Sequence, residues 1–206
     1  TSSFRLAELI LLFLGVPLIY HFDFIPFHKS IPLLTIFIVF LFILLKSKNF
    51  DKKKLGFNRF KGWKPILIRF LAFVLISTIA VWIISPEYLF ILPSERPLLW
   101  LMIIVFYPLW SAFPQELIYR SYFFFCFLPL FKNEWFLIFV NAVLFSFSHI
   151  IFNNWLAIIL TFFGGIMFAF TYRRSESLMV VFIEHMLYGS YIFTVGIGQY
   201  FYAPTG

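Results

Sequence analysis

The chain has 206 residues, of which 62% are hydrophobic, 24% aromatic and only 12% charged, with a formal net charge of +7. Soluble domains carry about 45–50% apolar and about 25% charged residues, so a water-soluble globule is excluded. The runs Ile31–Leu45 and Leu98–Trp110 are apolar on every face, which excludes the alternating ~10-residue strands of a membrane barrel. At roughly 20 residues per crossing, the fold class is all-α: a polytopic membrane helical bundle of about seven spans.

In chain order, Leu6–Tyr20 and Ile31–Leu45 form a helical hairpin around a turn holding His21, Asp23, Pro26, His28 and Lys29. No small-residue cleavage pattern follows the first run, which is therefore expected to remain as an anchor. The one long polar stretch, Lys46–Lys64, carries Lys46, Lys48, Lys52, Lys53, Lys54, Arg59, Lys61 and Lys64. It reads as a surface loop or a short interfacial helix. Pro65–Ile84 is the third span, with Pro65 at a helix start where its missing N–H costs nothing. A turn over Ser85–Pro97 leads to Leu98–Arg120, the fourth span, and Ser121–Phe131 is a helical extension or a re-entrant piece. Trp135–Phe152, Trp155–Tyr172 and Leu178–Tyr200 complete the bundle. The organisation is thus an N-terminal hairpin plus basic cytoplasmic loop over 1–64 and a catalytic-type transmembrane bundle over 65–206.

Loops rich in Lys and Arg stay cytoplasmic. With Lys46–Lys64 inside, parity also puts Arg5, Arg120, Lys132, Arg173 and Arg174 inside and leaves only Lys29 and Arg96 outside. That asymmetry requires Pro97–Phe131 to cross once. The same cations suit an anionic leaflet, so membrane lipids are the expected partners of this charge and nucleic acid is not invoked. Cys126, the single cysteine, lies among phenylalanines and reads as a packing residue.

Ionisable groups inside a span cost several kcal/mol and mark function. Glu8, Glu87, Glu95, Glu134 and Glu176 fall at span ends or in loops and read as solvated. Glu116 with Arg120, then His149, then Glu184 with His185 remain within or near apolar runs. Glu116 and Arg120 stand at i and i+4, on one helix face within ion-pairing reach. Pro114 just before them removes a backbone hydrogen bond and kinks or restarts the helix. Singly, each group has a structural explanation, as a helix-end salt bridge or a hydrogen-bonded interior histidine. Together, one carboxylate and two imidazoles on three spans can activate a water and stabilise an oxyanion, or hold a metal. No Ser-His-Asp set competes, because Asp23 and Asp51 are the only aspartates and both lie in loops. HExxH, CxxC, Walker and GxGxxG patterns are absent, and Gly164-Gly165 reads as close helix packing. Depth opposes convergence: at ~1.5 Å per residue His149 lies ~21 Å from Trp135 while Glu116 lies near the inner surface. Tilt, or a fifth span that starts deeper, is required.

The series Gln115-Glu116-x-x-x-Arg120, Phe145-x-x-x-His149 and His185 resembles the EExxxR, FxxxH and HxxxN motifs of the CPBP family, the CAAX protease and bacteriocin-processing (Abi) membrane proteins. The resemblance covers about Leu98–Tyr200. It implies an all-helical intramembrane endopeptidase, of the glutamic type rather than metal-dependent, acting on hydrophobic or lipid-modified peptides near the cytoplasmic face. It further implies Glu116 as general base, Arg120 as its ion-pair partner, and His149 and His185 as the groups that hold the water or stabilise the oxyanion. No cofactor is implied; were zinc used, its ligands would be Glu116, His149 and His185. Two positions depart from the pattern. Gln115 stands for the first Glu, where it can still orient a water, and Gly189 stands for the Asn of HxxxN, whose place Asn141 or Tyr188 could take. The resemblance and the short loops point to a bacterial inner membrane.

Three readings follow: an intramembrane peptidase; a catalytically inactive, family-like peptide-binding or immunity scaffold, favoured by Gln115 and Gly189; and a transporter or proton relay using Glu116, His149, Glu184 and His185. The last lacks a duplicated half.

Overall fold

A backbone in lipid must satisfy its own hydrogen bonds, and this chain does so almost entirely as helix. The computed structural model describes residues 2–24, 28, 30–57 and 60–201; Pro26, Lys29 and Arg59, assigned to loops from the sequence, lie outside the described residues. Among the described residues the long helices are α1 (Phe4–His21), α2 (Ser30–Lys46), α3 (Trp63–Ile84), α4 (Pro97–Leu130), α5 (Glu134–Phe152), α6 (Trp155–Ser175) and α7 (Leu178–Val195). Six are long and apolar enough to cross a bilayer, and α2, with 17 residues, is at the lower limit. The chain is an integral membrane protein of the expected all-helical class.

Two of the connections are tight and alike. Asn153 takes a left-handed φ of 51° and Asn154 then caps α6, its carboxamide accepting from the Leu156 and Ala157 N–H groups. Glu176 takes a left-handed φ of 49° and Ser177 caps α7, accepting from the Val180 N–H at 3.2 Å. Asn133 caps α5 in the same manner through the Phe136 N–H. These caps satisfy donors that the first turn of a helix leaves without partners.

Ser121–Phe131 resolves as extension, not re-entry. The chain runs as one helix of 34 residues from Pro97 to Leu130, with no reversal. At ~1.5 Å per residue that is about 50 Å, well beyond a ~30 Å hydrocarbon core. Its lower half is accommodated because it is wrapped by protein: Leu117 to Phe124, Cys126 and Phe127 are all buried. Phe13 of α1 packs edge-on against Tyr119, Phe123 and Phe127, at 5.2, 5.5 and 6.0 Å between ring centres. Cys126 packs here too, 4% exposed.

Contacts at the two ends agree with the parity argument. At the basic end Lys54 pairs with Glu176 at 2.6 Å, Arg173 with Glu134 at 2.7 Å, and the Ser177 hydroxyl donates to the Gly56 carbonyl at 2.7 Å. At the other end His21 Nδ1 lies 3.2 Å from the Ile150 carbonyl, and Trp100 Nε1 donates to Thr194. Glu8 is not solvated: it accepts from the Tyr122 hydroxyl and faces Arg5 at 3.7 Å. Gly165 lets α6 approach α5, since a Cβ there would lie 3.0 Å from Ala142 Cα. Its neighbour Gly164 turns to a cavity.

Candidate active site

Glu116 sits between two wide, π-helical turns of α4, Pro108–Ala112 and Leu117–Tyr122. Pro108 and Pro114 remove N–H donors from this stretch, and the helix answers by widening rather than breaking. The continuation to Leu130 also resolves the depth conflict. Glu116 lies 14 residues above the end of α4, and His149 lies 15 above the start of α5, so both stand roughly 20 Å from the basic end. α7 starts deeper: Ser177 is fully buried beneath the loop carrying Gly56, which brings His185 level within two turns.

The Glu116 carboxylate is fully buried. Oε1 lies 2.8 Å from His185 Nδ1, and Oε2 lies 3.3 Å from Arg120 Nε. A carboxylate only accepts, so Nδ1 carries the imidazole hydrogen, and in the neutral ring Nε2 keeps the lone pair. That nitrogen lies 3.1 Å from the Tyr107 hydroxyl. Arg120, also fully buried, gives Nη1 to Asn141 Oδ1 at 2.7 Å.

Phe145, the aromatic member of FxxxH, is the hub of the site. The Arg120 guanidinium lies 4.8 Å above its ring centre, and the His149 and His185 rings lie 4.9 and 5.8 Å away. His149 Nδ1 lies 2.8 Å from the Phe145 carbonyl, so His149 too is fixed with its hydrogen on Nδ1. Phe168 stacks on His185 at 4.7 Å, closing that ring's other side.

A cavity of about 660 Å³ opens beside these rings, within the range of ligand-binding pockets. Its wall is mostly apolar, with Leu33, Phe73, Phe163 and Met167 among the lining groups. Polar groups on it include Tyr107, Ser111, Gln115, His149, His185 and Tyr188.

The predicted residues therefore divide. His149, His185, Gln115 and Tyr188 line the cavity, whereas Glu116, Arg120 and Asn141 do not. Glu116 stands behind His185 instead of at the wall, because both its oxygens are drawn to His185 and Arg120. Asn141 cannot stand in for an Asn at position 189: its Oδ1 is taken by Arg120 and its Nδ2 donates to the Tyr119 carbonyl at 2.7 Å. The alternative zinc set is not assembled, since among the described residues no three His, Cys, Asp or Glu side chains are placed to hold a metal ion. Gln115 donates to Ser111 Oγ at 2.8 Å. Glu184, beside His185 in sequence, pairs with Arg69 through Oε1 at 2.7 Å. Sequence reasoning missed Arg69 as that partner, and missed Tyr107.

Residues 97–191 match the family model described as "Rce1-like: Type II CAAX prenyl endopeptidase Rce1-like". No curated protein and no solved structure matches the chain.

Proposed function

On the match of residues 97–191 to the Rce1-like CAAX prenyl endopeptidase family model, we propose that this protein is an intramembrane endopeptidase whose base is the Glu116–His185 pair. The observation that carries the proposal is the 2.8 Å contact of Glu116 with His185 Nδ1 at the edge of a large apolar cavity. Glu116, held opposite Arg120, fixes the imidazole tautomer and stabilises the imidazolium that forms when Nε2 takes a proton from water. His149 holds that water against the scissile carbonyl. The catalytic type is thus a histidine oriented by a buried carboxylate, and no step is routed through a cofactor. The cavity's apolar wall suits a hydrophobic or lipid-modified peptide, taken from the bilayer and cut at the level of His149 and His185, roughly 20 Å from the basic end rather than beside it. In this assignment residues 1–64 cover and shape the cavity while 65–206 carry the chemistry, in a bacterial inner membrane.

The test is cleavage of a hydrophobic peptide library in liposomes by the wild type, Glu116→Gln and His185→Asn. Wild-type turnover lost in both variants is the expected result. Equal turnover in Glu116→Gln defeats the base assignment.

One observation favours a second reading, a peptide-binding scaffold that does not cut. Among the described residues no carboxylate lines the cavity, and Gln115 is the wall residue where the resemblance expects a Glu. Under that reading the wild type binds peptides without hydrolysis, and Gln115→Glu restores turnover.

A further inference from the structure

Tyr107 makes a hydrogen bond at the His185 nitrogen that the base assignment uses. It lies nine residues before Glu116 on α4, with its hydroxyl 3.1 Å from His185 Nε2 and its ring 5.4 Å from that of Phe193. Because Glu116 holds the Nδ1 hydrogen, Nε2 is the acceptor and the phenol is the donor. Gly189, one turn after His185, makes room for this arrangement. A Cβ at 189 would run into the Tyr107 hydroxyl and the adjoining ring carbons. Tyr107, His185 and Gly189 all line the cavity, so the phenol fills the space that a side chain at 189 would occupy.

We infer that Tyr107 is a catalytic residue, its O–H being the hydrogen-bond donor to the oxyanion of the tetrahedral intermediate. The inference rests on the protease assignment above. Other side-chain amides near the site are engaged elsewhere: that of Gln115 donates to Ser111, and that of Asn141 donates to the Tyr119 carbonyl behind the wall. Tyr188 packs against Phe70 and Phe73 at 5.5 and 5.0 Å, on the α3 side of α7.

Proton transfer at Nε2 couples the two roles. Nε2 has one lone pair, so the Tyr107 hydrogen first turns off it toward the carbonyl oxygen. As the water oxygen bonds to the carbonyl carbon, one water proton passes to His185 Nε2 and the carbonyl π pair moves onto oxygen. Nε2 is then a donor, the Tyr107 oxygen accepts from Nε2–H, and the Tyr107 hydrogen holds the oxyanion. When the intermediate collapses, the C=O bond re-forms, the C–N bond breaks and the Nε2 proton goes to the departing amine nitrogen. His185 is again an acceptor for Tyr107.

The experiment compares wild type, Tyr107→Phe, Tyr107→Ala and the double variant Tyr107→Ala/Gly189→Asn on one cleaved hydrophobic peptide and on the matching peptide aldehyde, whose hydrate presents a tetrahedral oxygen. Phe keeps the ring over Gly189 and removes only the donor. The expected result is a fall in kcat of roughly 10²–10³-fold with KM unchanged, a parallel loss of aldehyde affinity, and unchanged affinity for the product peptide. In the double variant, an Asn at i+4 from His185 regains part of the turnover lost in Tyr107→Ala. Wild-type kcat and aldehyde affinity in Tyr107→Phe overturn the inference while leaving the base assignment standing, provided Glu116→Gln is dead. If wild type and Gln115→Glu both fail to cleave or to prefer the aldehyde, the protease assignment and this inference fall together.

Discussion

The carboxamide of Asn141 holds the guanidinium of Arg120, Oδ1 accepting from Nη1 at 2.7 Å while Nδ2 donates to the Tyr119 carbonyl at 2.7 Å. α5 thereby fixes the cation that faces Glu116, and Glu116 in turn orients His185. The chain of contacts runs from α5 through α4 to α7 with every member buried.

Asn141→Ala leaves part of a buried guanidinium without its partner. Removing one side of a charged, buried hydrogen bond costs about 2–3 kcal/mol. We expect a lower unfolding midpoint in detergent and reduced turnover at unchanged KM. A midpoint equal to wild type would contradict this account of the network.

Arg69 and Glu184 form a second ion pair, at 2.7 Å, with Glu184 fully buried and Thr171 sharing Arg69 Nη2 at 3.1 Å. Arg69→Met strands a carboxylate and should destabilise the protein by about 3–5 kcal/mol. Arg69→Met/Glu184→Met removes both charges and should be much milder. Unfolding measurements on the two variants check the order.

Gly165→Leu forces α6 away from α5, because the Ala142 backbone already lies where its Cβ would go. Overpacking of this kind costs about 1–3 kcal/mol or more. At the neighbouring Gly164→Phe, on the cavity wall, the new Cβ meets the Phe168 ring at 3.4 Å. This substitution should leave stability near wild type while raising KM for bulky hydrophobic peptides more than for small ones, which a side-chain size series would read.

Lys54→Ala breaks a pair whose side chains are 30% and 54% exposed. Such pairs contribute about 0–1 kcal/mol. The expected change in unfolding midpoint is small, in contrast with that for Arg69→Met.

What was legible in the sequence follows from how strongly lipid constrains it. Six spans and the short α2 were readable because every lipid-facing position must be apolar, and the basic loop set their parity. Glu116, Arg120, His149 and His185 stood out as charge or imidazole in apolar runs. Gln115 was readable as a wall residue only through the motif. Tyr107 was not legible, since a tyrosine in a span has the look of an interfacial or lipid-facing aromatic until His185 is seen beside it. Arg69 and Glu184 are 115 positions apart, and nothing local joins them. Asn141 was noticed, but its partner lies on another helix, so its polarity alone pointed to the wrong vacancy at 189. The apparent depth conflict came from ending α4 at Arg120, where charge ordinarily marks an interface; here protein, not water, surrounds that charge.

The joins at Asn153–Asn154 and Glu176–Ser177 have a further consequence for how this sequence can vary. Each uses one left-handed non-glycine residue, a conformation that costs on the order of 1 kcal/mol, and then a cap, with no slack between helices. One residue inserted at either join turns the following helix by about 100° about its own axis. At the second join that screw motion swings the imidazole of His185 off Glu116 and out of phase with Tyr107. Length changes at residues 176–177 are thus closed to this chain.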